Sequence, residues 1–254
     1  MIIVTGGGSG IGRALARRLS EEEEQVLIVG RREQALAETA SGYKGMDIFC
    51  ADLSTEEGRA HLVERAQDIP QIKGLVHNAG TISPMDVLAK VRLEDWQALM
   101  ALNVEAPLFL TQALLDKLSE ARVLHIGSGA AYFPVHAWGA YCTSKAALSM
   151  VTRTWQEECP HMAIASVMPG ITDTDMMGQI RHSSTMDSDK RQFFEDLKQS
   201  DRLLKTDCVA SFLQWLLLKI SSEEFRSKEW DIYDQIDQER WLRPPFQVPH
   251  WEAE

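Results

Sequence analysis

Thr5-Gly6-Gly7-Gly8-Ser9-Gly10-Ile11-Gly12 stands between two stretches of opposite habit. Before it, Met1–Thr5 is a short apolar run with the character of a buried strand; after it, Gly10–Leu19 spaces its apolar residues as an amphipathic helix does. Glycines let the backbone turn sharply between the two and bring its N–H groups close to a pyrophosphate. The positive end of the helix dipole follows at once. A glycine cluster by itself also reads as a structural turn. Its place after a first strand and before a helix points to dinucleotide binding by Gly6, Ser9, Gly10, Ile11 and Gly12.

Outward from this turn, short apolar runs keep alternating with amphipathic stretches. Strands are expected at Gln25–Val29, Met46–Cys50, Gly74–His77, Arg122–Gly127, Ala163–Met168 and, weakly, Glu229–Tyr233. Between them, helices are expected at Glu33–Ser41, Thr55–Ala66, Glu94–Lys117 (broken near Asn103) and Ala140–Glu158. This rhythm specifies right-handed βαβ units: an α/β chain with a Rossmann-type, doubly wound parallel sheet of about seven strands, helices on both faces. Runs such as Val26-Leu27-Ile28-Val29 suit strands buried on both sides. The whole chain, 1–254, reads as one domain, with 1–120 mainly holding a cofactor and 121–254 supplying catalytic and substrate groups. Residues 171–205 break the rhythm with a polar, Met-containing stretch that reads as a lid, or else as a plain surface helical hairpin. From Pro244 onward an extended tail is expected.

The composition limits what else the chain could be. It has 44% hydrophobic and 25% charged residues, ordinary for a globular protein, and no apolar run near the ~20 residues a membrane helix needs. The first residues already read as a strand, so no secretory leader is expected. A net charge of −11, from 26 basic and 37 acidic side chains, repels nucleic acid and anionic membranes. Cys50, Cys142, Cys159 and Cys208 are far apart without CxxC spacing, so free thiols in a reducing cytoplasm are expected rather than disulfides. The seven histidines form no HExxH pattern, and no metal site is expected.

Gly6, Gly10 and Gly12 are spaced Gly-x3-Gly-x-Gly. Here the sequence resembles the short-chain dehydrogenase/reductase family, whose first turn reads TGxxxGxG. The resemblance continues through Asp52-Leu53, Asn78-Ala79-Gly80, Asn103, Ser128, Tyr141-x3-Lys145 and Pro169-Gly170, covering residues 1 to about 175. It implies that Asp52 and Leu53 meet the adenine, that Asn78, Ala79 and Gly80 steady the sheet beside the cofactor, and that Pro169, Gly170, Thr172 and Thr174 meet the nicotinamide carboxamide. The cofactor's identity turns on the end of the second strand. An acid there would hold the ribose 2′-OH and repel a 2′-phosphate; Gly30 stands in its place, followed by Arg31 and Arg32, whose guanidiniums suit a phosphate. NADP(H) is therefore expected over NAD(H).

A phenol is a poor acid at neutral pH, with an ordinary pKa near ~10, and a nearby ammonium lowers it. Tyr141 and Lys145 are four apart, hence on one helix face, and Ser128 follows an expected strand, at the end where open α/β sheets bind ligands. The family resemblance implies their roles. Tyr141 delivers a proton to a carbonyl oxygen, Lys145 depresses the Tyr141 pKa and holds the ribose, Ser128 polarises the substrate, and Asn103 anchors a water chain. Tyr132, Phe133, Val135 and Trp138 lie between Ser128 and Tyr141 as a substrate wall, to which Met168, Met176 and Met177 add an adaptable apolar surface. This suits a bulky ketone or diketone. Ser128-Gly129-Ala130-Ala131-Tyr132 and Pro169-Gly170-Ile171-Thr172-Asp173-Thr174 look most like the benzil reductase and sepiapterin reductase-like branch. The expected function is NADPH-dependent carbonyl reduction of a small molecule. The alternatives are a 3-oxoacyl-thioester reductase or alcohol dehydrogenase on the same fold, or a non-catalytic dinucleotide sensor. The resemblance further implies a homodimer or homotetramer through the helices Glu94–Lys117 and Ala140–Glu158.

Overall fold

Seven strands pair in parallel, and each helix between them returns the chain to the same edge of the sheet. The computed structural model describes residues 1–249. In chain order the elements are β1 (Ile2–Thr5), α1 (Gly10–Glu21), β2 (Val26–Gly30), α2 (Glu33–Ala40), β3 (Met46–Cys50), α3 (Glu56–Gln67) and β4 (Gly74–His77). They continue with α4 (Leu93–Met100), α5 (Ala106–Ala113), β5 (Arg122–Ile126), α6 (Gly139–Glu158), β6 (Ala163–Met168), α7 (Asp175–Arg181) and α8 (Ser188–Gln199). Last come α9 (Thr206–Leu218), α10 (Ser222–Phe225), β7 (Trp230–Asp231) and α11 (Gln235–Trp241). The strand order β3-β2-β1-β4-β5-β6-β7 is the Rossmann arrangement. Its order reverses between β1 and β4, which opens a crevice beyond their carboxyl ends.

Each face of the sheet carries its own core. On one, α1 and α9 lie over β1, β2 and β5–β7, with Leu15, Leu19, Phe212, Leu213 and Trp230 fully buried. On the other, α3 and α5 cover the sheet with Leu62, Leu110 and Leu114. Full burial of such a side chain is worth about 1.5–3 kcal/mol, which fixes strand register against helix position. A third cluster sits past the strand ends and joins Tyr141 and Trp138 to Ile82, Leu99, Met177, Phe194 and Leu197.

The expected strands form, with β7 shortened to two residues and β2 moved one residue onward. The break near Asn103 has a physical cause. Pro107 has no N–H to return to the carbonyl of Asn103 four residues earlier, and the rod α4–α5 changes register through a π-helical turn at Ala101–Glu105. Residues 171–205 fold as the helices α7 and α8, whose feet are stitched together: Leu204 N donates to Ile171 O and Asp173 N to Leu204 O, both at 2.9 Å. The helices α9, α10 and α11 were not anticipated. The four cysteines are free, and no helix of the described residues is long and apolar enough to cross a membrane. The expected tail lies partly outside the described residues.

Candidate active site

The glycine turn folds as the spacing predicts. Gly6 adopts φ +68°, and a Cβ there would stand 2.7 Å from Asn78 Nδ2, so no side chain fits. Thr5 Oγ1 accepts from the amides of Asn78 and Ala79, both at 3.0 Å, and Asn78 Nδ2 donates to Thr5 O at 2.9 Å. The loop after β4 is thereby sewn beneath the turn. Ser9 precedes α1 without capping it, which leaves the first amides of the helix to face the turn. Arg32 Nη2 donates to Ser9 Oγ at 3.3 Å, and Arg31 pairs with Asp52 at 3.7 Å. Burial resists ionisation of Asp52, but the Ser54 hydroxyl and amide and the Arg31 guanidinium outweigh it and hold the carboxyl below its ordinary range. Leu53 puts its side chain into the core, and its carbonyl accepts from Arg59 Nη1 at 3.1 Å. These residues fit a nicotinamide dinucleotide: a cradle with no room for Cβ atoms, free helix amides, and two guanidiniums at the end of β2.

Tyr141 and Lys145 lie one turn apart on α6, both buried. Lys145 Nζ donates to Ile126 O at 2.8 Å and stands 5.7 Å from the Tyr141 ring centroid. Ser128, extended at the end of β5, accepts from Ala130 N at 3.2 Å. The Ser128 hydroxyl draws the pKa of the Tyr141 phenol down, but burial dominates and pushes it up to about 12. Burial draws Lys145 down to about 8. The expected depression of Tyr141 by Lys145 is not what this arrangement produces. The ammonium is turned to the Ile126 carbonyl, and desolvation of the phenolate wins. Asn103 occupies the π-helical turn. Its Oδ1 accepts from Thr81 N at 2.9 Å, and its Nδ2 donates to Thr81 O at 2.8 Å and Ser144 Oγ at 3.0 Å. Ser144 in turn donates to Tyr141 O at 2.8 Å, so Asn103 braces the start of α6 against the loop after β4. Gly80 sits where a Cβ would be 3.3 Å from Asn103 Oδ1.

The far wall comes from α7 and α8. Trp138, 8% exposed, meets Tyr141 edge-on at 5.9 Å and stacks on Phe194 of α8 at 5.7 Å. Met176 and Val135 pack against the same cluster, and Met177 is inside it. Two polar ties hold the hairpin: Thr185 Oγ1 donates to Met85 O at 2.6 Å, and Lys198 bridges Asp173 at 2.6 Å. Thr174 caps α7, accepting from Met177 N, while Thr172 is buried with its hydroxyl on Pro169 O. Gly170, at φ +73°, lets the chain pass the Tyr233 hydroxyl, which receives Ile171 N at 3.0 Å. Phe133 is exposed and lies over Gly129. Tyr132 is not brought to the site. Its phenol donates to the Glu229 carboxylate and pairs with Ser149 Oγ at 3.0 Å on the β7 side of α6. Phe194 went unnoticed in the sequence, although Phe193-Phe194 is an aromatic pair in an otherwise polar stretch, a signal of one buried face.

The short chain dehydrogenase family model matches residues 1–185. The chain belongs to the short-chain dehydrogenase family. Within this family, the benzil reductase ((S)-benzoin forming) of Bacillus cereus is 32% identical over 90% of this chain and 96% of its own length. The sepiapterin reductase of Meriones unguiculatus is 31% identical over 91% of this chain and 95% of its own. A solved short chain dehydrogenase from Escherichia coli, complexed with NADPH, superposes with a TM-score of 0.77 at 26% identity, covering 91% of this chain and 95% of that one. This short-chain dehydrogenase is an oxidoreductase of the benzil and sepiapterin reductase-like branch.

Proposed function

We propose that this chain is an NADPH-dependent carbonyl reductase that converts a bulky ketone or vicinal diketone to the alcohol, with Tyr141 as general acid. The observation that carries the reading is the grouping of buried Tyr141 and Lys145 with half-buried Ser128, closed on the far side by Trp138 and Phe194. A phenol held near 12 keeps its proton at any physiological pH and has one to give. The Ser128 hydroxyl acts on that phenol from nearby, so a carbonyl oxygen placed between them accepts from both hydroxyls. The dinucleotide, when bound, supplies the hydride to the carbonyl carbon. Lys145, which gives one N–H to Ile126 O at 2.8 Å, keeps two further donors with which to hold the nicotinamide ribose.

Arg31 and Arg32, with no acid at Gly30, support NADPH over NADH, and the NADPH held by the solved Escherichia coli relative accords with it. The apolar wall of Trp138, Met176, Met177 and Phe194, together with the reductases of benzil and sepiapterin among the relatives, supports the bulky carbonyl. An acyl-carrier partner would want a free basic patch at the mouth, but Arg181 is already paired with Glu195 at 3.8 Å. Phe109 on α5 and Met150 on α6 are exposed on the helix pair expected to join subunits, which supports a homodimer or homotetramer.

The test follows loss of NADPH absorbance, with NADH in parallel, over benzil, sepiapterin, a 3-oxoacyl thioester and a steroid ketone. Turnover of a diketone with NADPH preferred is the expected result. Tyr141→Phe should lower kcat by about 10²–10⁴-fold while leaving NADPH affinity within a few-fold; unchanged turnover would remove Tyr141 as the acid. NADPH binding with no carbonyl reduced would favour the sensor.

A further inference from the structure

Ser128 stands on a short turn whose two ends meet the same carboxylate. The turn leaves β5 at Gly127, runs through a 3₁₀ segment at Gly129–Ala131 and reaches Tyr132. It is closed by its own bonds: Ala131 N donates to Ser128 O and Tyr132 N to Gly129 O, both at 3.0 Å. Ser128 Oγ accepts from Ala130 N at 3.2 Å, which uses a lone pair and keeps the hydroxyl proton to give. A turn bonded in this way moves as a unit, so whatever grips its ends sets where the Ser128 hydroxyl stands.

Glu229 comes immediately before β7, which pairs with β6 through Val167 and Trp230. At the far end of the turn the Tyr132 phenol donates to Glu229 Oε2, and its oxygen pairs with Ser149 Oγ of α6 at 3.0 Å. At the near end, buried Ser166 of β6 donates to Glu229 Oε1 at 2.8 Å. Gly127 rests on this pair. Its N–H donates to Val167 O at 2.8 Å, and a Cβ at Gly127 would stand 2.8 Å from Ser166 Oγ and 3.6 Å from Glu229 Oε1. One oxygen of Glu229 thus serves each end of the turn. The neighbouring Lys228 is taken by Asp237 at 2.6 Å and Asp234 at 3.3 Å, and Glu229 forms no ion pair among the described residues. Partial burial, and then the Glu229 carboxylate, hold the Tyr132 phenol above its ordinary pKa, so it keeps the proton it donates.

We propose that Glu229 is a positioning residue for Ser128: its carboxylate, bridging Tyr132 and the Ser166–Gly127 contact, fixes the turn that presents the Ser128 hydroxyl to the substrate oxygen. The proposal rests on the carbonyl reductase reading given above. A hydroxyl displaced by about an ångström costs rate more than binding, so loss of Glu229 lowers kcat and spares the dinucleotide.

The test is a double-mutant cycle in benzil reduction with NADPH, pairing Glu229→Ala with Ser128→Ala. Glu229→Ala should lower kcat about tenfold and leave the Kd for NADPH, read by fluorescence, within about twofold. Glu229→Gln, which keeps one oxygen acceptor, should recover part of the loss. In the Ser128→Ala chain, Glu229→Ala should lower kcat no further, because the group it places is gone. A merely structural role would give the same fall in both backgrounds; that result, or an unchanged kcat in Glu229→Ala, overturns the proposal. Should Glu229→Ala not fold, Tyr132→Phe takes its place in the cycle, cutting the far tie while β6 and β7 stay paired. If the wild-type chain reduces no carbonyl, the proposed function falls instead, and amide hydrogen exchange judges Glu229. Exchange at Ala131 and Tyr132 should quicken in Glu229→Ala while Ile232, bonded to Met168 O, is unmoved. Equal quickening at all three, or none, overturns the proposal.

Discussion

Arg32 reaches the glycine turn at Ser9, while its neighbour Arg31 is engaged by Asp52. Arg32→Ala should therefore raise KM for NADPH about tenfold and leave KM for NADH unchanged, the loss of one charge-assisted hydrogen bond to a phosphate. Steady-state kinetics with both cofactors checks this. Lys145 gives a second prediction. Its folded pKa of about 8 is below its ordinary value of 10.5, so the fold bears the full cost of a buried ammonium below pH 8 and sheds it as pH rises toward 10.5. The stability of the wild-type chain relative to Lys145→Met should accordingly increase across that window, measured by urea unfolding at several pH values. Ser128, Tyr141 and Lys145 were legible because each owes its place to local geometry: a strand end, and one turn of helix. Tyr132 was not. Its partner Glu229 lies far along the chain and meets it only through the pairing of β6 with β7. The direction of the Tyr141 shift was equally hidden, since spacing reveals a neighbouring charge but not how deeply a phenol is buried.

Among the elements, those with a distinct period were readable. α1 shows its apolar stripe in sequence, and the parallel strands show theirs as unbroken apolar runs. α9 shows neither pattern. Cys208 through Gln214 are buried without a break, between the sheet, α1 and α11, so the helix is apolar nearly all round and its sequence carries no stripe to read. Length and flanks were the only remaining signal. The π-helical turn was legible as a break through its proline but not as a brace. Asn103→Leu should leave the amide of Thr81 and the hydroxyl of Ser144 without their partner, costing about 1–3 kcal/mol in denaturant unfolding and lowering kcat through a misplaced α6. Phe194→Ala removes the ring stacked on Trp138 and should cost about 3 kcal/mol in the same assay. It should also raise KM for a diaryl diketone more than for a small ketone.

For the molecule as a whole, the arrangement divides labour between a sheet that is finished on both faces and a helical hairpin resting over one end of it. The sheet's two cores do not depend on α7 or α8, whose apolar residues belong to the third cluster with Tyr141. Hydrogen exchange should therefore be faster in α7 and α8 than in β1, β4 and β5, and should slow in the hairpin when NADPH and a bulky ketone are added together. Light scattering should give a dimer or tetramer mass, with exposed Met150 on α6 as the first position to probe by substitution with a charged residue. The hairpin's feet, Ile171, Asp173 and Leu204, close on one another through their own backbone bonds. Everything between them is thus a cassette clipped into a finished frame, and a lineage could exchange it by recombination, acquiring a new taste in substrates while inheriting its chemistry intact.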